Sequence, residues 1–206
     1  MHVIEEDTKQ SGGSYMKKKR ISDIQKQYRF EEEFNAYLIE LSLDDYEEVY
    51  DQWDPAPFRK RFIEEEFNEF IITSAEDIPY KYNLVIVLHL PESEKDPRKE
   101  KSVISAYENF YHYAAAKEKR NWLRLRKKTL MYFVLSIILL GIGYFYLNET
   151  DQVILNVIRE GIFIGGWVFL WEAITNIFLT GHEQKNTMKL YKRLYLSEIR
   201  FSYKKY

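Results

Sequence analysis

The chain has 206 residues, of which 32 are acidic and 30 are basic, and it contains no cysteine. This length allows one small soluble domain beside a few further helices and leaves no room for a large enzyme. The lack of cysteine excludes disulfides, thiolate metal sites and a cysteine nucleophile, and it is typical of a reducing compartment. The net charge of −2 gives no reason to predict a nucleic-acid partner.

The N-terminal segment, residues 1–33, is predicted to be a mostly disordered tail. Its first 20 residues mix glycine, serine and charge, and they lack the apolar core of a secretory signal. An α+β domain with a small sheet is predicted for residues 34–98. Its first strand is residues 36–42, where Tyr37, Ile39 and Leu41 alternate with other residues and predict a strand with one buried face.

The rest of this domain is predicted from helix signals and one apolar run. Asp44 is a plausible cap for a helix over residues 45–51, which the prolines at 55 and 57 would end. A second helix is predicted for residues 58–74, with four side chains able to face a core: Phe62, Phe67, Phe70 and Ile71. The nearly continuous apolar run at 83–90 predicts a central strand covered on both faces.

Polar residues of this domain form no recognisable catalytic motif. The carboxylates Asp44, Asp45, Glu47, Glu48, Asp51 and Asp54 could hold a divalent cation or act as acid and base, but solvated helix faces have the same composition. His89 is interpreted as a core residue, and His112 as part of an aromatic stripe that packs on the sheet. The sequence therefore predicts no catalytic residue, no metal and no cofactor.

Residues 99–128 predict a long basic helix that continues without a break into an apolar run at 129–147. At about 1.5 Å per residue the combined rod would be roughly 70 Å long. The run at 129–147 is 19 residues without a charge, and a second apolar segment follows at 161–180. Each is long enough to cross the ~30 Å hydrocarbon core of a bilayer, so residues 129–180 are predicted to form a transmembrane hairpin. The alternative is a buried helical hairpin of a soluble protein.

The charges on either side of the apolar segments predict the orientation of the hairpin. Residues 117–128 contain seven lysines and arginines, and the tail after residue 180 is also basic, whereas the connection at 148–160 has one arginine. The positive-inside rule then places both termini in the cytoplasm. The tail, residues 181–206, is predicted to be a helix and a possible strand, since Ile199, Phe201 and Tyr203 alternate with polar residues. The alternative is a basic tail that lies on anionic lipid.

Two sets of residues in the hairpin are candidate sites. Small residues that allow close helix packing are predicted at Gly141, Gly143, Gly161, Gly165 and Gly166, with packing inside one chain favoured over packing between protomers. Three polar side chains are predicted at membrane depth, namely Glu172, Ser136 and Asn176. A carboxyl group there is expensive to bury, so Glu172 is either a functional group or a local determinant of helix register.

Four segments in this order carry a resemblance: FNAYLIELSLDDYEEVYDQWDPAPFRKRF, then YNLVIVLHLP, then the basic helix, then REGIFIGGWVFLWEAI. This order resembles small uncharacterised bacterial membrane proteins that have a cytosolic α/β portion ahead of a two-helix hairpin. The resemblance covers residues 34–203 and implies location in a bacterial inner membrane. It brings no known activity and no catalytic residues.

The architecture predicts a membrane-anchored sensor, adaptor or assembly protein without catalytic activity. Its expected partners are the lipid bilayer, a cytosolic protein or small ligand, and further copies of the chain. Because two helices cannot enclose a pore, the first alternative is an oligomeric channel-forming or membrane-perturbing effector, with Glu172 at an interface. The second alternative is a membrane-tethered enzyme.

Overall fold

The structure is a computed structural model that describes residues 24, 26–51, 53, 54, 62–145 and 152–204. These residues belong to two units. The first contains the chain up to His112 together with the chain from Lys192 onward, and the second is Tyr113–Tyr191.

A four-stranded mixed sheet forms the centre of the first unit. Its strands are β1 (Arg29–Glu31), β2 (Ala36–Ser42), β3 (Asn83–Pro91) and β4 (Glu198–Lys204), and they lie side by side in chain order. Strand β1 pairs antiparallel with β2, whereas β2, β3 and β4 are mutually parallel. The predicted strand at 83–90 is confirmed as a central strand. The predicted pairing of the C-terminal segment is confirmed as well, since β4 lies beside β3 in the same chain.

Strand β1 corrects the prediction for the N-terminal tail. Residues 29–31 pair with β2, and a tight turn at Glu32–Asn35 joins the two strands, with Asn35 at a φ of 46°. Asparagine tolerates this left-handed conformation better than most residues. Tyr28 is buried and its hydroxyl donates to Asp77 at 3.3 Å. The prediction of disorder was wrong for residues 28–33, and residues 1–23 lie outside the described residues.

Strand β2 is buried on both faces at its beginning, so the prediction of one buried face was wrong. Tyr37 and Ile39 face the main core as predicted, while Ala36 and Leu38 join Val85 and Val87 in a small cluster on the opposite face. On that face Arg200 of β4 reaches Glu31 of β1 at 2.6 Å. The aliphatic stem of an arginine can cover apolar surface in this way while its charge stays near water.

Helix α1 (Glu65–Asp77) packs on the sheet and begins later than predicted. The Glu64 carboxylate caps it by accepting the backbone N–H groups of Glu66 and Phe67. Phe67 and Ile71 are buried as predicted, but Phe62 and Phe70 are 55% and 48% exposed. The latter two predictions were wrong because the helix starts after Phe62 and turns Phe70 outward. Residues 58–61 of the predicted helix lie outside the described residues.

The acidic segment after β2 forms a short 3-10 helix, Tyr46–Val49, instead of the predicted helix over 45–51. Its cap is Asp45, whose carboxylate accepts the Glu47 N–H at 2.6 Å, so the prediction of Asp44 as the cap was wrong by one residue. Tyr46 and Val49 are buried. The segment therefore anchors the chain at the end of β2 through apolar contacts.

The described residues contain five further helical elements: a second 3-10 helix (Glu92–Glu94), α2 (Pro97–Phe145), α3 (Val153–Thr175), a π-helix (Asn176–Thr180) and α4 (Gly181–Tyr195). The predicted continuation of the basic helix into the first apolar run is confirmed, because α2 is 49 residues long. Among the described residues, two helical stretches, Pro97–Phe145 and Val153–Tyr195, are long and apolar enough to cross a membrane, judged by length and composition.

In the second unit, α2 and α3 pack antiparallel at three glycines. A Cβ at Gly166 would lie 2.8 Å from Leu140 Cγ and 3.2 Å from the Leu140 backbone nitrogen, and a Cβ at Gly143 would lie 3.1 Å from Phe163. The side chain of Leu139 is 3.9 Å from the corresponding position at Gly165. These three glycines thus lie against the other helix, as the spacing predicts.

The prediction of helix packing was wrong for Gly141 and Gly161. Among the described residues, no atom outside their own helices lies within 4 Å of a Cβ built at either one. Gly141 lies two residues before Gly143 and therefore points to the opposite side of α2. Gly161 lies one helical turn before Gly165 on the same face of α3, but no described atom of α2 lies within 4 Å of a Cβ built there. Among the described residues, the Gly161-x-x-x-Gly165 spacing therefore does not bring both glycines against α2.

Candidate functional site at the carboxyl edge of the sheet

The candidate site of the first unit lies where the three parallel strands end. Because β2, β3 and β4 run in the same direction, their carboxyl ends and the segments that follow them meet at one edge of the sheet. Ligands of open parallel sheets bind at this edge. Here the edge is built from the 3-10 helix after β2, the start of α2 after β3 and the end of β4.

Three side chains from these elements form a chain of hydrogen bonds. The Tyr203 hydroxyl donates to the Glu100 carboxylate in a short hydrogen bond, and the Tyr46 and Tyr203 hydroxyl oxygens are 2.7 Å apart. A phenol has one proton, so when Tyr203 donates to Glu100 it must accept from Tyr46. The Tyr46 oxygen in turn lies 3.5 Å from the backbone nitrogen of Asp96.

The environment keeps the Tyr203 hydroxyl protonated. Burial raises the pKa of Tyr203, and its hydrogen bonds to Glu100 and Tyr46 raise the pKa further. The Tyr46 side chain is buried, and its ring packs 6.0 Å from the Phe201 ring. Tyr203 is therefore a hydrogen-bond donor at neutral pH and is not suited to act as a base.

A small cavity of about 130 Å³ opens beside Tyr46. Its other lining residues are Glu47, Tyr50, Arg98, Lys99 and Ser102. Two cations, three hydroxyls and one carboxylate thus surround a space that fits a group of a few heavy atoms. The arrangement can hold an acidic group by charge-assisted hydrogen bonds.

The acidic segment before this cavity uses its carboxylates locally. Asp51 accepts the Trp53 N–H at 2.8 Å and Asp54 accepts the Phe62 N–H at 2.8 Å, in addition to the cap at Asp45. In the part of the chain that the structure describes, no group of three acidic, histidine or cysteine side chains is placed to hold a metal ion. The cation hypothesis for Asp44 to Asp54 is therefore not supported.

The two histidines of interest in this unit lie outside the buried core. His89 Nε2 is 3.2 Å from Glu40 Oε1 on the outer face of the sheet, where its side chain is 17% exposed, so it is at the margin of the core and not within it. His112 is exposed and its ring lies 5.4 Å from the Tyr195 ring. Of the predicted aromatic stripe, Tyr111 is fully buried and donates to Asn68 at 2.8 Å.

The predicted intramembrane candidates do not form one cluster. Ser136 is buried and its hydroxyl donates to the Phe133 carbonyl of its own helix at 2.8 Å. Asn176 is also buried, at the first position of the π-helix. Glu172 is exposed on the outer side of α3, next to Trp171, which is 68% exposed. Glu172 therefore points away from α2, the helix on which α3 packs.

Arg193, which the sequence analysis did not single out, connects two segments of the first unit by hydrogen bonds. The Arg193 guanidinium donates four hydrogen bonds of 2.8–3.0 Å, to the carbonyl oxygens of Ala75, Ile78, Pro79 and Tyr82. Burial lowers the pKa of Arg193, yet the group stays protonated because arginine titrates far above neutral pH. Arg193 thereby ties the end of α4, immediately before β4, to the end of α1.

The signals for these residues are visible only in part in the sequence. The alternation that predicts β4 includes Tyr203, but nothing in the sequence connects Tyr203 with Tyr46 or Glu100.

Comparison with known proteins gives no match: no protein-family model, no curated protein and no solved structure matches the chain.

Proposed function

We propose that the chain is a membrane-anchored sensor or adaptor without catalytic activity, held in a bacterial inner membrane by two transmembrane helices with both termini in the cytoplasm. The first unit would bind a small acidic ligand at the cavity beside Tyr46. The basic residues at 117–128 and after residue 180 would lie at the inner surface, as the positive-inside rule requires.

The observation that carries the proposal is the pairing of β4 with β3. Strand β3 precedes both apolar helices and β4 follows both, yet the two strands are hydrogen-bonded neighbours from Val85–Glu198 to Pro91–Lys204. If each apolar helix crosses the bilayer once, the chain returns to the side from which it started. An even number of crossings is the arrangement that allows one sheet to contain strands from both ends.

The exposure of the apolar helices supports membrane insertion over a soluble hairpin. Only 11% of the most apolar window in the first helix is buried, and only 6% in the second. A core helix of a soluble protein would have most of this surface covered. Large side chains such as Phe145, Phe178 and Trp171 are more than two-thirds exposed, which lipid tails would tolerate and water would not.

Cysteine accessibility tests this topology directly, because the chain has no native cysteine. Gln152→Cys, Lys101→Cys and Lys192→Cys each place one thiol at an exposed position. A membrane-impermeant maleimide should label position 152 in intact cells, and positions 101 and 192 only after permeabilisation. Release of the protein by alkaline carbonate, or labelling of all three positions in intact cells, would contradict the proposal.

Ligand binding is tested by thermal stabilisation of the full-length protein in detergent by a panel of small carboxylates and phosphates. A ligand present at 100 times its Kd stabilises the native state by about 2.7 kcal/mol. Arg98→Gln should abolish the shift, whereas Lys101→Gln, on the same helix and outside the cavity lining, should retain it. Equal shifts in both variants would remove the cavity from the proposal.

A second candidate function is an oligomeric channel-forming effector, and the outward position of Glu172 favours it. A carboxyl group on the lipid side of a helix costs about 2.5–3.5 kcal/mol on insertion scales, and an interface between protomers would relieve that cost. Native mass spectrometry of the wild type and Glu172→Ala, with Glu160→Ala as an exposed acidic control, decides between the two. An oligomer and an ion leak that both disappear only in Glu172→Ala would favour the effector, and a monomer throughout would exclude it.

A further inference from the structure

A second and larger cavity lies entirely within the second unit. It has a volume of about 660 Å³ and is lined by residues 122–133 of α2 and 176–185 of the π-helix and α4. One part of the lining is apolar and includes Phe133, Ile177 and Phe178. The other part carries the cations Arg126 and Lys185 together with His182, and none of the described residues in the lining is acidic.

The π-helix forms part of the wall of this cavity. In a π-helix the backbone hydrogen bonds span five residues, and here the Gly181 N–H reaches the Asn176 carbonyl oxygen. A Cβ at position 181 would lie 2.9 Å from that oxygen, so the wide turn requires glycine. Segments of this kind in otherwise regular helices are frequently associated with function.

Asn176 presents an unused hydrogen-bond donor at this cavity. The residue is 7% exposed, lines the cavity, and its Nδ2 has no hydrogen-bond partner among the residues that the structure describes. Buried amide donors are almost always satisfied, because an unpaired one costs free energy. A ligand with acceptor oxygens would provide the missing partner.

The two cations at the cavity are also available. Neither Arg126 nor Lys185 forms an ion pair with a carboxylate of the described chain. Arg126 lies over the Trp122 ring, with its guanidinium carbon 4.8 Å from the ring centre, which holds the cation at the cavity wall. A ligand with a negative charge would therefore meet two unpaired cations and a free amide donor.

We infer that this cavity binds one anionic phospholipid, with the phosphate near Arg126, Lys185 and Asn176 and an acyl chain along the apolar wall. The inference depends on the proposed membrane insertion. The cavity joins the basic flank of α2 to the apolar residues after Thr129, which is the boundary at which a phospholipid changes from headgroup to hydrocarbon. Basic pockets between transmembrane helices on the cytoplasmic side bind anionic headgroups by this chemistry.

Lipid retention by the full-length protein tests the inference. The purified protein is exposed to phosphatidylglycerol or phosphatidylcholine, and the affinity for the first bound lipid is measured by native mass spectrometry. Phosphatidylglycerol should bind at least tenfold more tightly than phosphatidylcholine. Arg126→Gln with Lys185→Gln should lower phosphatidylglycerol affinity about 30-fold, as expected for two surface cations of about 1 kcal/mol each.

A matched variant separates the cavity from general surface charge. Arg124→Gln with Lys189→Gln removes two exposed cations from the same helices, and neither residue lines the cavity. This control should change affinity less than threefold. Equal losses in both double variants would overturn the inference. Asn176→Leu keeps a side chain of similar size but removes the amide, and it should weaken phosphatidylglycerol binding about tenfold.

Two further outcomes are informative. If millimolar inorganic phosphate displaces the lipid completely, the site takes a free phosphate and the commitment to a phospholipid is overturned. Insertion of the wild type into phosphatidylcholine vesicles is measured separately by carbonate extraction. A protein that inserts but shows no preference for phosphatidylglycerol contradicts the lipid site alone, whereas a protein that fails to insert contradicts the proposed membrane function.

Discussion

Replacing Arg193 with methionine tests the contact that holds α1 to the segment before β4. Ala75 lies four residues before Pro79, and proline has no N–H to donate to the Ala75 carbonyl. Arg193 supplies this missing donor at 2.9 Å and also donates to the Ile78 carbonyl at 2.8 Å. A cation at this position in addition complements the negative end of the α1 dipole.

The expected loss of stability depends on which carbonyl oxygens would be left with neither the guanidinium nor water as a hydrogen-bond donor. Ala75 and Ile78 are both 0% exposed, so their oxygens would remain without a partner, at about 1–3 kcal/mol each. Pro79 and Tyr82 are partly exposed, and water can replace the guanidinium there. Because contributions within one network are not additive, Arg193→Met should destabilise the first unit by about 2–4 kcal/mol.

Hydrogen exchange of the full-length protein in detergent measures this change locally. A loss of about 2–4 kcal/mol corresponds to an increase of roughly 30- to 900-fold in the opening equilibrium of amides in β3 and β4. Lysine keeps the charge but lacks the planar fork, so Arg193→Lys should fall between the wild type and Arg193→Met. The exposed neighbour Lys192→Met is the control. Protection of β4 within threefold of the wild type in Arg193→Met would refute the reasoning.

Three further outcomes are expected from other contacts. Gly166→Ala should destabilise the α2–α3 pair by about 1–3 kcal/mol because its Cβ would meet the Leu140 backbone, whereas Gly161→Ala should be neutral or slightly stabilising. Denaturation in mixed detergents compares the stabilities of the two variants, and equal effects would contradict the helix packing at Gly166. The raised pKa of Tyr203 means that the unfolded state loses its phenol proton first above pH 10, so stability falls as pH rises through that range. Tyr203→Phe should make this fall shallower by up to about 1.4 kcal/mol per pH unit in urea unfolding, and an unchanged slope would be evidence against the buried hydroxyl. Arg200→Gln removes the contact with Glu31 and should increase exchange in β1 only a few-fold, since both partners are partly exposed; loss of the whole sheet would contradict this.

Regular elements were predicted well where one interaction dominates. The apolar run of β3 predicts a strand at the centre of a sheet, and the long apolar segment of α2 predicts a continuous helix. Element ends were predicted less well. The start of α1 depends on the Glu64 cap and on the bridge between Tyr50 and Ile63, and the second of these contacts joins residues 13 apart in the chain.

The candidate site was not predictable in the same way. Tyr46, Glu100 and Tyr203 are separated by 54 and 103 residues, and only the parallel order of β2, β3 and β4 brings them to one edge. For Glu172 the sequence predicted one property and not another. Its depth within an apolar segment was evident, but the direction of its side chain depends on which face of α3 meets α2, and the packing at Gly166 decides that.

The sequence by itself determined the apolar lengths, the asymmetry of lysine and arginine, and the alternation in the C-terminal segment, because these depend on local composition and on the spacing of residues along one element. The tertiary structure alone decided that β1 joins the sheet, that Arg193 replaces the donor missing at Pro79, and that Asn176 lines a cavity. Each of these requires a hydrogen bond or a packing contact between segments distant in the chain, and local propensity carries no information about such partners.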